Sequence, residues 1–357
     1  MSEGLDRRNF LVRAAAAGAG LLSAGWLASC TRSAITPASA TPAALTPAAA
    51  VASGAVRQAA PVAGKSRVAL YTNPNLMETP SRPNPEKVLA MLDRGMMSVF
   101  GTDSVEKAWR QVASPTDVVA LKVNTIASQL STSPMVSYAI AHRLMEIGVP
   151  AQNILIFDRT TGELQRAGYE IVKTGTDKPY CYGTDGDYSE AYTQGAFTGR
   201  LSNILVQKAT VLINVPVLKD WGGIQVTLSL KNHFGTIDNP GAQHHDMAHT
   251  IPCISATDPV KTKTRLVVLD ASRGCFQGGP GPGPGGMWTY NGLAVSKDPV
   301  ALDWVGNRII NEKRVAMGLS LLNAGPDGFA KFLPVAAEMG LGKATEAEID
   351  LVQEQLT

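Results

Sequence analysis

The run ATVLINVPVLKDWGGIQVTLSLKNHFGTID, Ala209 to Asp238, decides the fold. It opens with a Val/Ile-rich apolar stretch, the pattern of a strand buried on both faces, and passes into polar Asn214, Pro216 and Lys219. After Gly222-Gly223, Ile224 to Phe234 reads as a short helix with Thr227 and Lys231 on one face, and Gly235 is placed to end it in a left-handed turn. Lys219, Lys231, Asn214 and Asn232 are thereby expected at one strand-to-helix corner. Such a corner suits an anion, either a carboxylate or a phosphate.

The same grammar extends in both directions. Arg67–Thr72, Asp117–Val123, Asn153–Phe157 and Thr264–Leu269 read as strands, the second carrying Lys122 and Asn124 at its end and the last two running into Asp158 and Asp270. Between them lie a helix capped by Asn84 with Pro85 at its first position, a helix Pro134–Ile147 capped by Ser133, and a helix over Glu163–Val172. The polar Gly/Tyr/Thr/Asp run up to Gly199 reads as surface connection. Leu293–Val295 leads to a helix capped by Asp298, with Asp303 on its exposed side, and Thr345 with Glu348 forms a capping box for a last helix. Strands alternating with helices predict an α/β fold: one large domain with a mostly parallel sheet and helices on both faces. Ligands in such sheets sit beyond the carboxyl ends of the strands, where Lys122, Asn124, Asp158, Asn214, Lys219 and Asp270 would converge.

The chain has 357 residues and the first 65 do not read as fold. Arg7-Arg8 in DRRNFL, followed by an Ala/Gly/Leu core from Ala14 to Ala28, reads as a twin-arginine export signal over residues 1–30. That core, about 15 residues, falls short of the roughly 20 of an ordinary membrane span. Leu27-Ala28-Ser29-Cys30 is similar to a lipobox, which would make Cys30 the lipidated first residue and the membrane a partner; cleavage after Ala38-Ser39-Ala40 is the alternative. Either way the expected location is outside the cytoplasm, in the periplasm. Residues 31–65, rich in Ala, Pro and Thr, read as a tether, leaving 66–357 for the folded domain.

A net charge of +2 with dispersed lysines and arginines gives no electrostatic footprint for nucleic acid. Cys181, Cys253 and Cys275 are scattered, without the C-x-x-C spacing of metal or iron–sulfur sites. No G-x-S-x-G elbow appears, which argues against serine acyl-enzyme chemistry. GGPGPGPGG, ending at Gly286, lacks the strand-then-helix frame of a phosphate loop and its prolines remove amides, so it reads as a rigid rim. Four of five histidines fall between residues 233 and 249. In HHDMAH, His245 and His249 would share a helix face, and His244, His245, Asp246 and His249 are candidate ligands for a divalent metal, the bland alternative being a polar loop. Lys231, Asp158 and His245 are the candidates for catalysis, with Lys122, Asn124, Asn214, Lys219, Asn232 and Asp270 as ligand-binding residues.

These motifs, taken in order as VALKVN, ILIFD, NVPVLKDW, TLSLKNHFGTI, the histidine loop, VVLDA, GGPGPGPGG and KDPVALD, resemble the family catalogued as domain of unknown function 362, over roughly Arg67 to Asn311. The family has no general assigned reaction. Many relatives carry a fused ferredoxin-like segment with two four-iron four-sulfur clusters, which implies redox chemistry and a redox partner for those members. This chain departs from them in having no ferredoxin cysteine runs, and His233 stands where some relatives are apolar. Three readings follow: an enzyme acting on a small anionic molecule with a metal or an acid/base from the His/Asp loop, a lipid-tethered anion-binding protein, and an accessory factor for a redox complex.

Overall fold

The computed structural model describes residues 60–222, 225–283, 285–322 and 327–357. The signal and lipobox readings, and the tether reading up to residue 59, lie outside the described residues. Among the described residues no helix is long and apolar enough to cross a membrane.

The first strand, β1 (Ser66–Thr72), is followed by a small hairpin of β2 (Met77–Thr79) and β3 (Arg82–Pro83), then α1 (Pro85–Phe100) and α2 (Val105–Trp109). Next come β4 (Val119–Lys122), α3 (Pro134–Glu146), β5 (Ile154–Phe157), α4 (Thr161–Arg166) and β6 (Tyr180–Cys181). A second hairpin, β7 (Tyr188–Gln194) and β8 (Phe197–Ser202), leads to β9 (Val211–Asn214), β10 (Val217–Trp221), β11 (Gln225–Thr227) and the single turn α5 (Ser229–Asn232). The rest is α6 (Met247–Ser255), α7 (Asp258–Lys263), the long β12 (Thr264–Cys275) and β13 (Met287–Ser296), α8 (Pro299–Ala316), α9 (Phe332–Glu338) and β14 (Ile349–Gln355).

Ten strands form one sheet, in the order β14-β1-β13-β12-β9-β4-β5-β6 with β10 and β11 attached through β12. All neighbours along the main path are parallel except β13, which runs antiparallel to both β1 and β12. The α/β, mostly parallel expectation holds. Strand side chains alternate between two packed faces. Val119, Leu121, Ile154, Ile156, Val211, Ile213, Leu266 and Val268 meet α1 and α3 on one side. Val267, Leu269 and Ala294 meet α6, α8 and α9 on the other, where Ala120, Leu155 and Leu212 pack with Ile204, Leu205 and Val260. Burial on both faces is why these strands read as continuous apolar runs.

The caps expected at Asn84, Ser133 and Asp298 are present. Asn84 accepts from Lys87 N, Ser133 from Met135 N, and Asp298 from both Val300 N and Ala301 N, each worth about 1 kcal/mol. Several expectations are corrected. The Glu163–Val172 helix stops at Arg166, and the run read as surface connection contains β6, β7 and part of β8. β12 does not end at Asp270 but continues to Cys275, pairing with β13 beyond that point. The capping box at Thr345 opens only one tight turn, Glu346–Glu348, and then β14, not a helix. Thr345 Oγ1 does bond Glu348 Oε2 (2.7 Å), so the local signal is real, but pairing with the exposed flank of β1 takes the chain that follows.

Candidate functional site: a buried lysine cluster at the strand ends

The decisive stretch folds differently from its local pattern. Gln225–Thr227 is strand, paired antiparallel with β10 so that Lys219 faces Thr227 and Trp221 faces Gln225. Thr227 and Lys231 therefore do not share a helix face. These four β10 and β11 side chains lie on one side of the ribbon. Ser229–Asn232 is one helical turn continuing into a 3-10 turn at His233–Thr236, and Gly235 is not left-handed. Its lack of a side chain serves another purpose: a Cβ there would press on Asp158 Oδ1 and stand 2.6 Å from Lys122 Nζ.

The single turn is held from below by Asp303. Far from lying on an exposed face, this residue is fully buried. Its Oδ1 accepts from Ser229 N (2.7 Å) and Ser229 Oγ, and its Oδ2 from Leu230 N (3.0 Å). Three donors favour the carboxylate, burial opposes it, and burial prevails, pushing Asp303 up to about 7. Asp303 thus fixes the turn whose next residues are Lys231, Asn232 and His233.

Lys122 and Asn214 end adjacent strands in register, so both side chains leave the same face. Lys122 Nζ pairs with Asp158 Oδ1 (2.7 Å) and donates to Val123 O (2.7 Å) and Asn232 Oδ1 (3.2 Å). Asp158 Oδ2 is also held by Thr125 N and Oγ1. Asn232 is the hub: its Oδ1 accepts from Asn124 Nδ2 (3.0 Å), and its Nδ2 donates to Asn214 Oδ1 (2.7 Å). Asn214 Nδ2 in turn donates to Ser229 O and approaches His233 Nε2 (3.3 Å). Burial lowers Lys122 although the Asp158 carboxylate opposes the shift.

Lys219 is 0% exposed and, among the described residues, its amine reaches only neutral acceptors, Asn124 Oδ1 (2.6 Å) and Leu130 O (3.4 Å). Burial, with the charges of Lys231 and Lys122 nearby, brings it down to about 7 against the pull of Asp158. Lys231, 6% exposed, has Nζ 3.3 Å from His244 Nε2 and 4.1 Å from the centre of the Phe234 ring, and burial brings it down to about 8. Around them Gln225 Oε1, Thr227 Oγ1 and His233 Nδ1 are buried with no hydrogen-bond partner among the described residues. Burial keeps His233 neutral, down to about 3. The GGPGPGPGG rim packs behind the ribbon: Gly279 N donates to Asp220 Oδ1 (2.8 Å) and Gly222 N to Gly279 O (2.9 Å).

Lys122, Asn124, Asp158, Asn214 and Asn232 are therefore joined in one hydrogen-bonded network, to which Lys219 is tied through Asn124. Asp270 is not part of it. It shares a face of β12 with Leu266 and Val268, opposite to Lys122, and its carboxylate accepts from Ser133 N (2.7 Å), Ser272 N and Ser272 Oγ. The histidine loop does not gather its four candidate ligands. His245 Nδ1 is 2.6 Å from Ala242 O, His249 Nδ1 is 2.9 Å from Asp246 Oδ1, and His244 stacks on Trp221. Among the described residues no three His, Cys, Asp or Glu side chains stand together as a metal-binding group. His245 and His249 are exposed, away from the lysines' own hydrogen bonds. Asp303 and the aromatic neighbours of Lys231 were missed by sequence reasoning; KDPVALD carries the former, but nothing local links it to Ser229.

One solved structure with a similarity is the crystal structure of a protein from Thermotoga maritima determined by the Northeast Structural Genomics Consortium, at 9% identity and a TM-score of 0.33. The alignment covers 53% of this chain and only 51% of that one, and a likeness of this size carries no structural argument. No curated protein matches the chain. The family model described as Domain of unknown function (DUF362) matches residues 119–308, from the first residue of β4 into α8 and so across every lysine and asparagine of the cluster. The chain belongs to the DUF362 family.

Proposed function

We propose that the lysine cluster binds a small anionic molecule, a carboxylate or a phosphate, and that the protein is an enzyme acting on it. The observation that carries this reading is Lys219: an amine with no exposure, bound to neutral oxygens, with two further lysines close enough for their charges to act on it and Asp158 as the carboxylate that offsets them. A buried cation without a matched anion is costly, and a bound anion would remove that cost. The unpartnered Gln225, Thr227 and His233 atoms would supply or receive the remaining hydrogen bonds.

An anion would also raise the Lys219 and Lys231 amines, so binding near pH 8 takes up protons. Calorimetric titration of inorganic phosphate and of oxalate in two buffers of different ionisation enthalpy measures that uptake directly. Lys231→Ala should weaken binding and leave stability nearly unchanged. If neither anion binds at millimolar concentration, or binding persists unchanged in Lys219→Met, the reading fails.

Export by the twin-arginine route and anchoring through a lipid on Cys30 belong to the same proposal, supported by Arg7-Arg8 and Leu27–Cys30. Replacing both arginines by lysine should retain the chain in the cytoplasm, and Cys30→Ala should release it from the membrane. A fractionation showing no change in either variant would remove this part. A divalent metal on the histidine loop would need His245 and His249 to leave their present partners. Elemental analysis of the chain beside a His245→Ala/His249→Ala variant decides that point, because only a metal lost in the variant supports it.

A further inference from the structure

We infer that Lys231 is a nucleophilic amine that forms an imine with the carbonyl group of an anionic aldehyde or 2-oxo acid, with His244 as the group that takes its proton. The inference rests on the anion-binding reading for the substrate's charge and adds the reacting atom and the bond it makes.

The three lysines are not equivalent. Lys122 is committed to Asp158, Val123 O and Asn232, and Lys219 is sealed at 0% exposure between Asn124 and Leu130 O. Lys231 is the most exposed of the three at 6%, has no carboxylate partner among the described residues, and has a ring nitrogen as its polar neighbour, His244 Nε2 at 3.3 Å. Its amine is walled by Phe234, 4.1 Å from the ring centre, and Trp221 at 5.4 Å. His244 is itself positioned. It stacks on Trp221 (ring centres 5.6 Å, planes 24° apart) and meets Phe234 edge-on at 5.0 Å. Those contacts leave Nε2 directed at Lys231. A nucleophile, a base within hydrogen-bond reach, and groups that orient the base are the parts that activated nucleophiles share. His244 is partly exposed where Lys231 is buried, so imine formation requires a small carbonyl compound to enter past His244.

The step balances without an added reagent. Lys231 Nζ, its proton passed to His244 Nε2, adds its lone pair to the carbonyl carbon. The N–C bond forms as the C=O π pair moves to oxygen, which takes one of the two protons left on the nitrogen. Loss of the remaining nitrogen proton and of the hydroxyl as water leaves C=N. The carboxylate or phosphate of the same molecule is attracted by the positive charge of the cluster, to which Lys219, although sealed, contributes through space.

The test is reductive trapping on the full chain. Glyoxylate, pyridoxal 5′-phosphate and uncharged benzaldehyde are each added with sodium cyanoborohydride, and the adduct is located by peptide mass spectrometry. Lys231 should carry at least ten times more adduct than any other lysine with the two anionic probes. Inorganic phosphate should compete, and benzaldehyde should label it poorly. His244→Gln should slow labelling about tenfold at the same residue, with folding checked by circular dichroism. Adducts spread over surface lysines, or concentrated on Lys219, overturn the inference, and an unchanged rate in His244→Gln removes the base. Phosphate binding by calorimetry with no Lys231 adduct sinks the imine and spares the anion site. Labelling of Lys231 that phosphate does not oppose, equal for charged and uncharged probes, does the reverse.

Discussion

Replacing Asp303 by alanine should both destabilise the protein and loosen the site, because this carboxyl is the tie between α8 and the turn that carries Lys231, Asn232 and His233. Truncation strands Ser229 N and Leu230 N, two buried donors that have no other partner in their turn. Each costs about 1–3 kcal/mol when left unmade. Relief of a buried carboxyl returns part of this, and a net loss of about 3 kcal/mol follows. For a domain of this size that is a fall in Tm of roughly 5–10 °C. The acid's raised value gives a second signature. With a folded pKa of about 7 and an unfolded one of about 3.9, the native state keeps a proton that the unfolded chain has released. This group's stabilising contribution is full below about pH 4 and is lost as pH rises to about 7. Asp303→Asn should abolish that slope. Urea unfolding at pH 5 and 8, with phosphate titrations on the same samples, measures all three effects. An alanine variant within about 0.5 kcal/mol of the parent, binding phosphate as the parent does, would refute the view that Asp303 holds the turn.

Lys219→Met should do the opposite to stability, raising it by about 1–4 kcal/mol at pH 7 while abolishing anion binding, since it removes a buried cation that has no carboxylate of its own. The parent's own stability should rise with pH between about 7, the lowered folded value, and about 10.4, the unfolded one, because the unfolded amine holds a proton there that the folded one has lost; a flat profile in both proteins would contradict this. Gly235→Ala places a methyl against Asp158 and Lys122 Nζ and should cost about 2–4 kcal/mol by forcing the pair apart, so an unperturbed melting curve would show that the pair can shift at no cost. His233→Leu should stay within about 1 kcal/mol of the parent, because the ring has an unpartnered Nδ1 and Asn214 Nδ2 keeps its bond to Ser229 O; a loss much above that would assign the imidazole a role the contacts do not show.

The sheet was legible because burial on both faces writes itself as an unbroken apolar run, and β4, β5 and β9 were found where those runs lie. β14 and the β7–β8 hairpin were not. β14 is the edge of the sheet and alternates only partly buried positions, so DLVQEQ carries neither a helical nor a strand period. Asp303 was misplaced for a related reason. α8 is buried continuously from Val300 to Asn307, so it has no exposed side in that stretch from which to infer an orientation. Asp270 failed through parity: a polar residue at a strand's apparent end marks one end of the sheet, but the two-residue period decides the face, and Asp270 shares that of Leu266 and Val268.

Lys122, Asn214 and Lys219 were found because each interrupts a run that local rules would have kept apolar, and the structure supplies the cost of that interruption. A methionine would fill the Lys219 position without desolvating a charge, and a leucine at Asn214 would continue β9. Instead the chain keeps an amine at zero exposure beside two others, and three polar atoms around them have no partner among the described residues. A fold optimised for stability alone would not retain this arrangement at the junction of β4, β9 and β10, where parallel strands place their ligands. The conflict between local preference and observed residue is therefore itself an argument for the anion-binding proposal, and it has no counterpart in the histidine loop, where exposed His245 and His249 each have a local partner, Ala242 O and Asp246.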